Sequence, residues 1–159
     1  MSEQAVIDDV QAANVALYHR FIDDGVGIGR LDTIDEVLAP DIELPTLAGL
    51  AATTPAGLKQ MNQAFRAAFP DLHGRIDQVF AVGDWVAARV TWSGTNTGDF
   101  MGQPPTGKSV SITELEIVRC LDGKIVDLRQ VADLKPRELL QRRQERLKGY
   151  GRFADTTDR

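Results

Sequence analysis

Cysteine is almost missing from this chain: Cys120 is the one thiol among 159 residues. A lone cysteine excludes an intramolecular disulfide and a thiolate metal cluster. Free cysteines are commonly buried, so Cys120 reads as a core side chain rather than a nucleophile. Histidine is nearly as scarce. His19 and His73 lie far apart, without clustered carboxylates around them, which gives no basis for a metal site. His19 falls on the polar side of the first helix, and His73 reads as a surface residue near a rim. No apolar run approaches the roughly 20 residues that span a bilayer. The N-terminus, Met1-Ser2-Glu3-Gln4, is acidic where a signal peptide would be basic, so a cytoplasmic protein without a membrane partner is expected. An excess of positive charge is lacking too. The net charge of −5 argues against a general nucleic-acid surface. The basic cluster Arg142, Arg143, Arg146 and Lys148 is diluted by Glu138 and Glu145 and reads as a solvated helix face. There is neither a Gly-rich phosphate loop nor a nucleophile elbow.

What is present is ordinary globular material, 43% hydrophobic and 26% charged, at a length suited to one domain with a real core. That domain is expected over residues 1–148, with 149–159 as a frayed tail. The first third reads as helices. Val6, Val10, Ala13, Leu17 and Phe21 recur at helical spacing, and the three glycines between Asp23 and Gly29 are expected to break that helix. A short helix follows, with Asp32 as its N-cap, Leu31, Ile34, Val37 and Leu38 facing inward, and Pro40 as its stop. Asp41 to Leu50 reads as extended. Thr54-Pro55 opens a third helix, cap residue then proline, with Leu58, Met61, Phe65, Ala68 and Phe69 on its inner face.

From Gly74 onward the pattern turns to strands: Arg75–Val82, Trp85–Asn96, Ser109–Leu121 and Lys124–Ala132. Gly83-Asp84 and Asp122-Gly123 are tight hairpin turns, Gly98–Lys108 is a rim loop, and a last helix is expected from about Pro136 to Lys148. Helices followed by antiparallel strands make an α+β fold.

Five segments in order carry a family likeness: Phe69-Pro70-Asp71-Leu72-His73, Gly83-Asp84-Trp85-Val86, Gly94-Thr95-Asn96-Thr97-Gly98, Gly102-Gln103-Pro104-Pro105-Thr106-Gly107-Lys108 and Asp122-Gly123-Lys124-Ile125. With Leu38-Ala39-Pro40-Asp41 upstream, the chain resembles the SnoaL-like polyketide cyclases of the nuclear transport factor 2-like superfamily. The resemblance implies a cone-shaped barrel, a curved antiparallel sheet with N-terminal helices enclosing a hydrophobic cavity. It also implies cyclisation, isomerisation or hydration of a small hydrophobic, polyketide-like substrate by acid–base catalysis, with neither cofactor nor metal.

Registered against that family, even-numbered positions of the last two strands face the cavity: Ile112, Glu114, Glu116 and Val118, then Val126, Leu128, Gln130 and Ala132. On the Trp85 strand the resemblance puts Arg89, Thr91 and Ser93 inward. The family's aldol-closing members carry an aspartate base at the position of Gln130 and histidines at those of Glu116 and Leu128. An amide cannot titrate. The related epoxide hydrolases share Arg89 but have aspartates where Thr91 and Gln130 stand. What remains is a carboxylate pair. Glu114 and Glu116, two apart on one strand, share a face about 6–7 Å apart, and burial with mutual repulsion would raise at least one pKa, giving an acid beside a base. Gln130 completes the candidate catalytic set. Arg89, Asn96, Thr91, Leu128, Phe65 and Trp85 are candidates for substrate contact, and Phe100 and Met101 could gate the cavity mouth. Asp133 suits the N-cap of the last helix.

Hydropathy alone assigns the glutamates differently, because Leu115 and Ile117 occupy the opposite face and would be core. A homodimer seated on the outer sheet face reconciles the two, with Val86, Ala88, Val90 and Trp92 taken as outer residues. A ligand-binding protein without catalysis, and a partner to an oxidoreductase in hydroxylation, are the alternatives on this fold.

Overall fold

A computed structural model of the chain describes residues 3–45, 53–100 and 102–133, with side chains from Asp8 onward. Helices come first and a four-stranded antiparallel sheet follows, as the sequence pattern predicts. Helix α1 spans Glu3–His19 and runs without a break into a π-helical segment, Arg20–Ile28. The glycines therefore do not break the helix where expected. Gly25 and Gly27 are absorbed into the wide turns, where a Cβ on Gly27 would sit 2.7 Å from the Ile22 carbonyl oxygen. Only Gly29, at φ 82°, ends the segment. The buried stripe is Leu17, Tyr18, Phe21 and Ile22, whereas Val10 is exposed.

Helix α2, Leu31–Val37, is capped at Arg30, and Asp32 lies inside its first turn rather than at the cap. Ile34, Val37 and Leu38 are fully buried. The Ala39 N–H then donates to the Ile125 carbonyl at 2.9 Å, tying the end of α2 to the sheet. Helix α3, Pro55–Ala68, begins as predicted: the Thr54 hydroxyl accepts from the Gly57 N–H at 3.1 Å, and proline follows it. Of the expected extended stretch 41–50, residues up to 45 are irregular and the remainder lies outside the described residues. So do Met101, the expected last helix and the tail.

The strands are β1 His73–Val82, β2 Trp85–Thr95, β3 Ser109–Leu121 and β4 Lys124–Asp133, a meander in the order β1-β2-β3-β4. Asp122 at φ 50° and Gly123 at φ 72° make the β3–β4 turn, the left-handed pair that matches strand twist in two-residue hairpins. One bulge interrupts β1 at Asp77 and another interrupts β4 at Val126. Each bends its strand, so the sheet curves around the helices. The core between the two layers includes Tyr18, Ile22, Ile34, Val86, Val90, Val118 and Ile125. Each such apolar side chain contributes about 1.5–3 kcal/mol on burial.

Register decides which residues face inward, because directly opposed residues of an antiparallel pair share a face. Glu116 pairs with Ala88 and Gln130, and Glu114 pairs with Val90 and Ala132. The inner face therefore holds Val86, Ala88, Val90 and Trp92 of β2. The expectation that these were outer residues, with Arg89 and Thr91 inside, is corrected. Arg89 pairs with Leu115 on the outer face and is exposed, and the Thr91 hydroxyl donates to Asp77 there at 2.5 Å. Val126 also moves. The bulge gives its inward place to Ile125, which is fully buried, while Val126 packs partly buried against the core.

Candidate functional site

Between the helices and the sheet lies a cavity of about 170 Å³. Helical residues Phe21 and Ile22, with Met61, Phe65 and Phe69, form its apolar wall, and Glu114, Glu116 and Gln130 supply polar groups from the sheet. No Lys, Arg or His lines it among the described residues.

Glu114 is 7% exposed and Glu116 4%. Two ionised carboxylates do not sit comfortably in so dry a site, and two hydrogen bonds reach them. The Trp92 Nε1–H donates to Glu114 Oε2 at 2.9 Å. The Tyr18 hydroxyl donates to Glu116 Oε2 at 2.8 Å. The two carboxyl groups also act on each other, the charge of Glu114 raising Glu116, so both charges together are disfavoured. Burial is the main cause raising both pKa values. For Glu116 the charge of Glu114 and the bond to it add to burial, and the result is about 8. For Glu114 the bonds from Glu116 and Trp92 partly offset burial. Both groups are thus pushed toward their protonated forms, Glu116 under the added charge of Glu114. Burial, reinforced by Glu116, also holds the Tyr18 phenol far above its ordinary range, so it stays a donor.

Other expected site residues fall elsewhere. Gln130 and Phe65 line the cavity. Leu128 is buried in the core beside Val118. Trp85 stands on the outer face, 42% exposed, with the Arg119 guanidinium 5.8 Å from its ring centre. Asn96 is buried, but its amide is fully engaged in holding the rim loop. Its Nδ2 donates to the carbonyls of Ala68 and Gly98, and its Oδ1 accepts from the Thr106 N–H and hydroxyl. That amide has no capacity left for a substrate carbonyl. Phe100 packs tilted against Phe65 and edge-on against Phe69, with ring centres 4.9 and 5.7 Å away, beside the cavity wall. Cys120 is buried, and burial pushes its thiol up to about 11. His73 is exposed at the start of β1. His19 is exposed and pairs with Asp23 at 2.9 Å. Asp133 ends β4, and the helix it was expected to cap lies outside the described residues.

Tyr18 was not foreseen. Its signal was available: a tyrosine beside the Leu17–Phe21 stripe of α1 must bury its hydroxyl, and a buried phenol finds a partner. Trp92 was read as an outer residue, which hid its bond to Glu114.

Comparison with known proteins bears on the family and the fold. The family model described as SnoaL-like polyketide cyclase matches residues 16–138. The nogalonic acid methyl ester cyclase of Streptomyces nogalater is 34% identical over 110 residues, covering 67% of this chain and 81% of that protein. AclR of Streptomyces galilaeus, a candidate hydroxylase, superimposes with a TM-score of 0.69 at 31% identity over 83% of this chain and 96% of its own. IdmH of Streptomyces antibioticus, a candidate polyketide cyclase, gives 0.65 at 32% identity over 76% and 91%.

Proposed function

Because the chain belongs to the SnoaL-like polyketide cyclase family, we propose that it cyclises or isomerises an uncharged, hydrophobic, polyketide-like substrate by acid–base catalysis. The observation that carries this reading is the pair of buried carboxyl groups, Glu114 and Glu116, on the wall of an apolar cavity. Glu114, charged, is the base that takes a proton from carbon next to a carbonyl. Glu116, protonated, is the acid that delivers one to the oxygen where charge collects. The resulting carbanion attacks a second carbonyl, or is reprotonated elsewhere. Both routes balance without a redox partner, so the reading needs no cofactor. Gln130, opposite Glu116, is suited to donate to a substrate oxygen, filling by hydrogen bonding a place where the family's aldol-closing members use a base.

The lack of a cation among the described residues of the cavity wall disfavours carboxylate substrates, since a further negative charge would meet the buried carboxyl pair. A methyl ester, as in the name of the Streptomyces nogalater relative, has no such charge. Nogalonic acid methyl ester is therefore the first substrate to try. The wild type is expected to convert it, with Glu116→Gln and Glu114→Gln each losing roughly 10²–10⁴-fold in kcat. Full activity in both variants would end the carboxylate mechanism.

A second reading rests on the likeness to AclR: the chain assists a hydroxylation with a partner oxidoreductase. Product that forms only with an added reductase and oxygen would favour it. Binding without turnover across such substrates would favour a ligand carrier.

For the partner, we propose a second copy of the chain on the outer sheet face. Phe80, Leu115, Ile117 and Val131 lie there, each at least half exposed, and contiguous apolar patches of this kind usually mark an interface.

A further inference from the structure

Two phenylalanines at the end of α3 line the cavity, Phe65 and Phe69, with ring centres 6.4 Å apart. A third ring packs against both from behind. It belongs to Phe100, on the rim loop between β2 and β3, and it does not itself line the cavity. Among the described residues from Asp99 to Ser109, Phe100 alone is not exposed. The loop's one apolar anchor is therefore the back of the cavity wall. Its base is fixed just as closely. The Ala68 carbonyl, at the end of α3 where no intrahelical donor is left, accepts from the N–H groups of Thr97 and Gly98, both at 3.1 Å. Asn96 Nδ2 donates to the same oxygen at 3.3 Å. Gly98 crosses the helix so near that a Cβ there would stand 2.2 Å from the Ala67 carbonyl oxygen. Beyond it, Phe100 and Gln103 exchange backbone bonds of 3.0 and 2.9 Å, with Gly102 at φ 76° in the turn. The loop thus grips the last turn of α3, which carries Phe65, with Phe69 just beyond it.

We infer that Phe100 is a specificity-determining residue that acts from outside the cavity. Its ring holds Phe65 and Phe69 inward and so limits the length of the uncharged, hydrophobic substrate that fits beside them. A close-packed interior leaves a wall side chain no free volume to retreat into, and removing the ring behind it creates that volume. The inference rests on the cavity being the substrate site, and it is independent of the roles given to Glu114 and Glu116.

The test titrates the full chain, with carbon-13 in the methionine methyl groups, and reads occupancy by NMR from Met61, which lines the cavity. The probes are 2-acetylnaphthalene and 2-hexanoylnaphthalene, uncharged ketones that differ only in chain length. The wild type is expected to favour the short probe. Phe100→Ala should bind the long probe roughly tenfold more tightly relative to the short one, a step of the size that one methylene makes in an apolar pocket. Gly98→Ala, which lifts the loop without altering a ring, should shift the preference the same way. Phe100→Trp should keep the wild-type preference. A purely structural role would weaken both probes together. An unchanged ratio of the two affinities in Phe100→Ala and Gly98→Ala overturns the inference, as does binding of neither probe by any of these proteins. A shifted ratio with Glu114→Gln and Glu116→Gln fully active leaves the role of Phe100 standing and removes the catalytic reading instead.

Discussion

The two faces of β3 reverse the usual distribution of polarity. Inward, Glu114 and Glu116 are 7% and 4% exposed, while outward, Leu115 and Ile117 are 59% and 50% exposed. On β2, one strand away, the ordinary order holds, with Val86, Ala88 and Val90 inside and Arg89 outside. A face selected only for packing would carry β2's pattern throughout. Keeping two carboxyl groups dry costs stability, and the cost is limited here by the donors Trp92 and Tyr18.

The largest effect expected on this contrast concerns pH. Folding raises the Glu116 pKa from an ordinary 4.5 to about 8. Between those values the folded chain keeps a proton that the unfolded chain releases. Stability therefore falls as pH rises through that window, by up to a few kcal/mol. Glu116→Gln removes its share of the dependence and leaves that of Glu114. Thermal melts should show the variant well above the wild type at about pH 8 and close to it near pH 4.5. Next comes a paired truncation. Val90→Ala on the inner face is expected to cost about 2 kcal/mol by denaturant unfolding, and Val131→Ala on the outer face under ~0.5 kcal/mol for the isolated subunit. Charging the outer face should then separate copies. Leu115→Lys with Ile117→Lys is expected to convert a dimer to a monomer by light scattering, with the Glu116 titration intact. A wild type that is already monomeric would remove the dimer. The smallest effect is Arg89→Ala, expected within about 0.5 kcal/mol of wild-type stability, with the Glu116 midpoint unmoved. A shift there would return Arg89 to the site.

Much of the fold was legible, because turns and caps are local chemistry. Thr54-Pro55 and Asp122-Gly123 behave as their residue types dictate, and β3 begins and ends at the predicted residues. The π-helical segment was not legible, since Asp23 to Gly29 carries glycines that serve a break and a wide turn equally well. Inward direction needed two sources, and each failed on one strand. Hydropathy gives β2 correctly and β3 in reverse, while registration on the family gives Glu114 and Glu116 correctly and places Arg89 and Thr91 on the wrong side. The hydrogen bond from Tyr18 spans 98 residues of sequence, a separation across which no local pattern points.

The bulge at Val126 has a consequence for charge as well as for shape. Beyond it, Arg119 faces Asp127 and Glu116 faces Gln130, whereas the turn itself pairs Cys120 with Ile125. If β4 continued from the turn in unbroken alternation, each partner would come one residue earlier. Arg129 would then stand opposite Glu116, and Asp127 opposite Val118. A guanidinium at that place would hold both carboxylates in their charged forms. One unpaired residue in the ladder thus works as an electrostatic filter, holding a cation outside that the same sequence, counted differently, would deliver to the centre of the cavity.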